Sequence, residues 1–172
     1  MPTLLLFRHA KSAWGDPGLS DHDRPLAPRG LRDAPRMGRW LAREGLVPDR
    51  TVSSTAVRAR RTARLALEAA GAPPESLTVD GRLYGATPWG ILAVASEAAR
   101  RSGCRRLMVV GHNPGLEDLV RGVRDLPDHL ASRRKIFPTA ALAVVSVKGS
   151  RDDLIGFDAD LQTLIRPRDL AA

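Results

Sequence analysis

The chain has 172 residues, 43% of them hydrophobic and 4% aromatic, and its 27 lysines and arginines against 19 aspartates and glutamates give a formal net charge of +8. That length suits one domain (1–172) with a full core, and no apolar run is long enough to span a bilayer or to serve as the apolar region of a signal peptide, so a cytoplasmic protein is expected. Lys11, Lys135 and Lys148 are the only lysines, the many arginines are interleaved with acids along the whole chain, and aromatics are too few for base-stacking platforms, which argues against a nucleic-acid surface.

The apolar run Leu4-Leu5-Leu6-Phe7 stops abruptly at Arg8-His9. Too short for an ordinary helix and bounded by charge, it reads as a strand buried on both faces. Open α/β sheets bind ligands at the carboxyl ends of such strands, so Arg8 and His9 are aimed at a crevice. Lys11 to Pro28, rich in Asp, Gly and Pro, is expected to be an irregular loop beside a binding site, with Trp14 and the turn-like Asp23-Arg24-Pro25-Leu26. His22, within it, reads as a surface residue. The spacing predicts a first helix over Gly30 to Glu44, with Leu31, Ala34, Gly38 and Leu41 on its buried face, Pro35 near its first turn and Gly45 as its stop.

Arg50 to Ser53 reads as a second strand, followed at once by a helix whose buried stripe is Ala59, Ala63, Ala66, Leu67 and Ala70, with Ser54 or Thr55 as cap and Gly71 as terminator. Arg58 falls in its first turn, where free amides and the positive dipole end favour an anion and a guanidinium adds a bidentate fork. Arg60, Arg61 and Arg64 read as a solvated face. A third strand, Leu77 to Val79, leads to Leu83-Tyr84-Gly85. Thr87 and Pro88 then open a helix with the stripe Ile91, Leu92, Val94, Ala95, Ala98 and Ala99, ended by Gly103. Cys104, the single cysteine, reads as inert filler. The next strand, from Arg106 to Val110, runs into Gly111-His112-Asn113-Pro114 and repeats the pattern of the first, so both histidines are delivered to the same sheet edge. A short helix from about Pro114 to Val123, a loop with His129 on the surface, a buried strand over Ala140 to Val147 and an edge pairing at Asp153 to Phe157 complete the chain. Strands alternating with helices make a single-domain, doubly wound α/β sheet, mostly parallel with an antiparallel edge. Leu83 to Ser102 holds one helix, which leaves no room for a cap domain.

Two histidines and two arginines without metal-ligand companions at close spacing suit phosphoryl transfer. A neutral imidazole nitrogen attacks phosphorus well, and a phosphohistidine splits one difficult displacement into two easier ones. The charge on the transferring group is met by positioned cations, here Arg8 and Arg58, with His112 as a third when protonated. No Gly-x-x-x-x-Gly-Lys cradle is present, so ATP is not expected, and no cofactor is called for. Two other readings stay open. A metal hydrolase would draw on His9, His112, Asp16 and Asp23, without any His-x-His, His-Glu-x-x-His or Asp-x-Asp spacing to support it. A non-enzymatic basic module would bind acidic partners through charge alone.

The sequence resembles the histidine phosphatase superfamily, also called phosphoglycerate-mutase-like. Arg8-His9-Ala10 is similar to its Arg-His-Gly signature, Pro25-Leu26 before Arg29-Gly30 to its Pro-Leu-x-x-x-Gly segment, Ser53-Ser54-x-x-x-Arg58-Ala59-x-x-Thr62 to its second arginine motif, and Gly111-His112-Asn113-Pro114 to its second histidine motif. Lys11-Ser12-x-Trp14, Asp23-Arg24-Pro25-Leu26 and Phe137-Pro138-Thr139-Ala140-Ala141-Leu142 resemble the SixA-type phosphohistidine phosphatases in particular. The resemblance implies a phosphoglycerate-mutase-like fold without a helical insertion, His9 as the phosphorylated nucleophile, and Arg8, Arg58 and His112 as the phosphate pocket, with no metal. Lys11 and Asn113, beside the two histidines, are expected to contact substrate. The expected substrate is a phosphorylated molecule, first a phosphohistidine protein and alternatively a small phosphomonoester handled by a phosphatase or mutase; the expected state is a monomer or weak dimer. Ala10 replaces a glycine at the cost of one methyl, and Gly85 stands where many relatives carry an acidic proton donor. A missing acid matters most for alkoxide leaving groups and least for phosphohistidine. Asp16, Asp21 or Asp23, on the loop after His9, are the alternative sources of that acid.

Overall fold

Six strands form one mixed sheet in the computed structural model, which describes residues 3–148, 154 and 157–170. The strands are β1 (Thr3–Arg8), β2 (Arg50–Ser53), β3 (Leu77–Val79), β4 (Arg106–Gly111), β5 (Leu142–Val147) and β6 (Ala159–Ile165), arranged in the order β3-β2-β4-β1-β5-β6. β3, β2, β4 and β1 pair in parallel, and β5 pairs antiparallel with both β1 and β6, so β6 runs in the direction of the first four. Of the Asp153–Phe157 segment expected to pair at the edge, Asp153, Ile155 and Gly156 lie outside the described residues, and Leu154 and Phe157 are in no strand. The antiparallel edge is β6, whose half-buried residues carry no strong alternation to advertise it.

The helices are α1 (Pro28–Arg43), α2 (Val57–Ala70), α3 (Pro88–Ser102), α4 (Gly115–Arg121) and the single turn α5 (Asp128–Ala131). β1 is buried on both faces, and its alternate residues serve two cores. Leu5 and Phe7 pack with Met37, Leu41, Ala63 and Leu67 of α1 and α2, while Leu4 and Leu6 pack with Ile91, Leu92, Leu116 and Val120 of α3 and α4. That division is the doubly wound arrangement expected of a parallel sheet with helical crossovers. No helix among the described residues is long and apolar enough to cross a membrane.

Several local expectations change. α1 begins at Pro28, after an extended Ala27, which places Pro35 inside the helix rather than in its first turn. Leu31 faces solvent, and the buried stripe runs through Gly30, Asp33, Ala34, Met37, Gly38, Trp40 and Leu41. Gly38 allows this stripe to lie directly on α2, since a Cβ there would stand 2.1 Å from the Ala66 carbonyl oxygen. α2 is preceded by Ala56 with no side-chain cap, and neither Ser54 nor Thr55 takes that role. Arg60, expected in solvent with Arg61 and Arg64, is half-buried, with its Nε enclosed and unpartnered. α4 is confined to Gly115–Arg121, and β5 starts at Leu142 because Ala140 adopts a left-handed φ of 59° that no strand accommodates. The caps of α3 are as read: Thr87 accepts from the Gly90 amide, and Gly103 is left-handed.

Candidate active site

Strand register builds the site. β1 and β4 pair in parallel with Arg8 opposite Gly111, so the next residues, His9 and His112, emerge side by side, and the His9 amide donates to the Gly111 carbonyl at 3.0 Å. Their ring centroids are 5.1 Å apart. β2 pairs on the other side of β4 with Ser53 opposite Val110, which brings Ser54 and the start of α2 to the same edge. The two buried strand ends thus converge with a helix amino terminus, at the position where open α/β sheets hold ligands.

His9 is buried, and its Nδ1 lies 2.8 Å from the Ala10 carbonyl oxygen. A carbonyl only accepts, so Nδ1 carries the proton and Nε2 keeps its lone pair. Burial pulls the His9 imidazole down to about 3, with the charges of His112, Arg58 and Arg8 acting in the same direction. Burial and then Arg58 pull His112 down to about 4. Burial therefore favours the neutral form of both rings near neutral pH. Its Nδ1 sits 3.5 Å from the Arg58 guanidinium and its Nε2 2.8 Å from the Ser54 hydroxyl. Ser54 holds a histidine rather than capping a helix.

Arg58 projects from the first turn of α2 and is buried. It donates to the Asp21 backbone carbonyl and, at 2.9 Å, to the Asp21 carboxylate. Thr62, one turn further, accepts from the Ala10 amide at 2.9 Å and donates to the Arg58 carbonyl at 2.7 Å, bracing the helix against the residue after the nucleophile. Arg8 donates through Nη1 to the Phe137 carbonyl at 2.9 Å, and its Nε is buried without a partner among the described residues.

The loop after β1 closes one wall. Arg24, buried, ties it together by donating to the Ala13 carbonyl, the Ser12 hydroxyl and Asp21, with its guanidinium 3.3 Å over the Trp14 ring. Gly30 lets α1 come up to that loop, since a Cβ there would stand 2.2 Å from the Lys11 carbonyl oxygen. Asp21 accepts from the Tyr84 hydroxyl at 2.8 Å, and that bond, with those from Arg58 and Arg24, holds its carboxyl at about 2. The Tyr84 ring meets His112 and His22 edge-on, with centroids 5.5 and 5.0 Å away. His22 is thus half-buried against Tyr84 and Thr55 instead of lying free on the surface. Lys11 is exposed at the start of the loop. Asn113 reaches the same cleft as Arg8, but its amide nitrogen is engaged by Glu117 and the Phe137 carbonyl, both at 2.9 Å.

His9, His112, Arg8 and Arg58 therefore stand together; Asp21, a candidate acid from the loop after His9, joins them as a partner of Arg58, and Ser54 and Tyr84 join without having been singled out as site residues. Ser54 lay inside a quoted motif and was legible only as a cap; nothing in sequence ties Asp21 to Tyr84. Among the described residues no group of three His, Cys, Asp or Glu side chains is placed to hold a metal ion.

Comparison with known proteins places the chain in a family. The model of the histidine phosphatase superfamily (branch 1) matches residues 4–83. The solved structure of a candidate phosphohistidine phosphatase SixA from Nakamurella multipartitia superposes with a TM-score of 0.74 at 34% identity, over 96% of each chain. The chain belongs to the histidine phosphatase superfamily. Within the superfamily it lies in the SixA-type branch and is a phosphatase. A candidate SixA from Agrobacterium tumefaciens is 30% identical with a TM-score of 0.74, covering 96% of this chain and 98% of its own. An uncharacterised protein of Mycobacterium tuberculosis is 40% identical over 153 residues, 86% of this chain and 90% of its own length.

Proposed function

We propose that this histidine phosphatase works without a metal, through a covalent phosphohistidine on His9, and that its substrate is phosphohistidine carried by a protein. The observation that carries the reading is the 2.8 Å bond from His9 Nδ1 to the Ala10 carbonyl, which leaves Nε2 as a neutral nucleophile of fixed orientation. In the first step Nε2 attacks phosphorus, the new P–N bond forms as the bond to the leaving group breaks, and the leaving group takes a proton. The Nδ1 proton stays on the ring, so the phosphorylated imidazole is cationic and the Ala10 carbonyl supports that charge. In the second step water attacks, the P–N bond to His9 breaks, and inorganic phosphate departs with His9 neutral again. Arg8 and Arg58 offset the charge on the phosphoryl oxygens. His112 is adjacent, and a bound phosphoryl dianion favours its protonated form.

The choice of phosphohistidine rests on the missing acid. Gly85 has no side chain to give a proton, and Asp21 is held ionised by Tyr84 and two arginines. An alkoxide departing here would lack the acidic donor that many relatives carry at position 85, a general acid typically worth about 10²–10⁴-fold. A phosphoramidate nitrogen takes its proton from solvent and leaves readily. Among the described residues no helical insertion lies between Leu83 and α3, which leaves the cleft open to a protein segment.

The test is hydrolysis of 4-nitrophenyl phosphate in EDTA by the native protein and by His9→Ala, followed by the ratio of kcat/KM for phosphohistidine to that for an aliphatic monoester. The expected result is chelator-resistant activity that falls by at least about a thousandfold in the variant, with phosphohistidine preferred. Loss of activity to EDTA sinks the metal-free route; preference for the aliphatic ester sinks the substrate.

A further inference from the structure

Next to the phosphoryl pocket, on the Arg8 side, lies a cleft of about 530 Å³ lined by Arg8, Asn113, Glu117, Arg134 and Lys135. Its one acid is already matched. Glu117 accepts from Arg121 at 2.9 Å and from the Ile136 amide at 3.2 Å through one oxygen, and from Asn113 at 2.9 Å through the other. Arg134 and Lys135, both exposed, have no acidic or hydrogen-bonding side-chain partner among the described residues. Two lining residues also carry a buried polar atom with no partner among the described residues, Arg8 Nε and Asn113 Oδ1. Buried polar atoms without partners are uncommon, and the cleft beside them is wide enough to admit polar groups.

These two cations are not on a loose loop. Arg121 donates to the carbonyls of Arg133 and Arg134 at 2.8 and 3.2 Å, and Arg8 and Asn113 both donate to the Phe137 carbonyl at 2.9 Å. The backbone is thereby tethered on both sides of Lys135. Arg8 joins the two pockets, since its charge acts on His9 and its side chain lines the cleft.

We infer that this cleft receives the part of the substrate beyond the phosphoryl group and that it takes a second anionic group, a carboxylate or phosphate, on Arg134 and Lys135. The inference rests on the phosphatase reading above and specifies what the substrate carries. A second charge of this kind comes either from a small molecule or from an acidic side chain beside phosphohistidine. Two probe pairs separate these sources: 3-carboxyphenyl phosphate against its uncharged amide, and a phosphohistidine peptide flanked by glutamate against the same peptide flanked by glutamine.

The readout is the ratio of kcat/KM within each pair. The native protein is expected to prefer the charged member of one pair by about fivefold, a preference that shrinks in 0.5 M salt because the cations are exposed. In Arg134→Ala/Lys135→Ala the ratio falls to about one, and in Arg134→Glu/Lys135→Glu it inverts, which misfolding cannot produce. A preference confined to the phenyl pair assigns the cleft to small molecules; one confined to the peptide pair assigns it to an acidic protein segment. Hydrolysis of all four probes with no charge preference, or a preference that survives both variants, overturns the inference alone. A native protein inert to every probe and to 4-nitrophenyl phosphate removes the phosphatase reading and this inference with it.

Discussion

At the scale of single residues, the site holds two imidazoles that cannot be protonated without a charge entering a buried pocket already flanked by Arg8 and Arg58. An unfolded histidine titrates near 6.5, whereas burial holds His9 at about 3 and His112 at about 4. Between those limits the unfolded chain binds protons that the folded chain refuses, so stability rises with pH across this window and falls as pH drops below about 6.5. Asp21 works in a lower window: its carboxyl is held at about 2, so its contribution is present above the usual carboxylate range and is lost as pH falls through about 2. The urea midpoint is therefore expected to be higher at pH 7.5 than at pH 5, and a His9→Gln/His112→Gln variant should show a clearly flatter dependence. An unchanged dependence in that variant would place the titrating groups elsewhere.

Among the elements, the contact between α1 and α2 is the closest approach the sheet edge depends on, because α2 carries Arg58 and, through Thr62, holds Ala10. Gly38 sits against the Ala66 carbonyl, where a Cβ would stand 2.1 Å from backbone oxygen. No flexible side-chain end can yield there, so Gly38→Ala must push the helices apart, at a cost of about 1–3 kcal/mol. Chemical denaturation should show this loss, while Gly15→Ala, with nothing within 4 Å of its Cβ, should leave stability unchanged. Any movement of α2 also moves Arg58 relative to His112. The same variant is thus expected to lose affinity for inorganic phosphate as a competitive inhibitor.

Over the whole molecule, the net charge of +8 is distributed rather than gathered. Arg24, Arg58, Arg82, Arg101, Arg121, Arg124 and Arg166 each pair with a carboxylate, while Arg32, Arg39, Arg43, Arg61, Arg64, Arg105 and Arg133, like Arg134 and Lys135 beside the catalytic cleft, are exposed with no carboxylate partner among the described residues. The exposed cations lie on several different elements rather than in one continuous stripe, so they offer no single track for a phosphate backbone. Duplex DNA at 0.15 M salt is accordingly expected neither to bind tightly nor to slow hydrolysis of an aryl phosphate. Tight binding with a steep salt dependence, indifferent to His9→Ala, would instead support the basic-module reading.

Much of this molecule was legible in one dimension because strands and helices are local. Leu4 to Phe7 ending at Arg8-His9, the alanine stripe of α2 and the Thr87-Pro88 opening of α3 are decided by short-range sterics, backbone capping and apolar periodicity, and the structure reproduces them. The pairing of His9 with His112 was legible for a similar reason, since two buried strands of matching pattern in one parallel sheet deliver their next residues to one edge. What the tertiary structure decided depends on residues far apart in sequence. Ser54 turned from cap to histidine partner because β2 and β4 are neighbours, and Asp21 met Tyr84 because a loop with no periodicity folds back across the site. Leu31 faced solvent and Asp33 went inward because α1 is rotated by its fit of Gly30 and Gly38 against backbone, a constraint that hydrophobicity alone does not carry. The cleft at Arg134 and Lys135 belongs to the same class: composition records two basic residues, and only the tethering of their loop to Arg8, Asn113 and Arg121 places them beside the phosphoryl pocket.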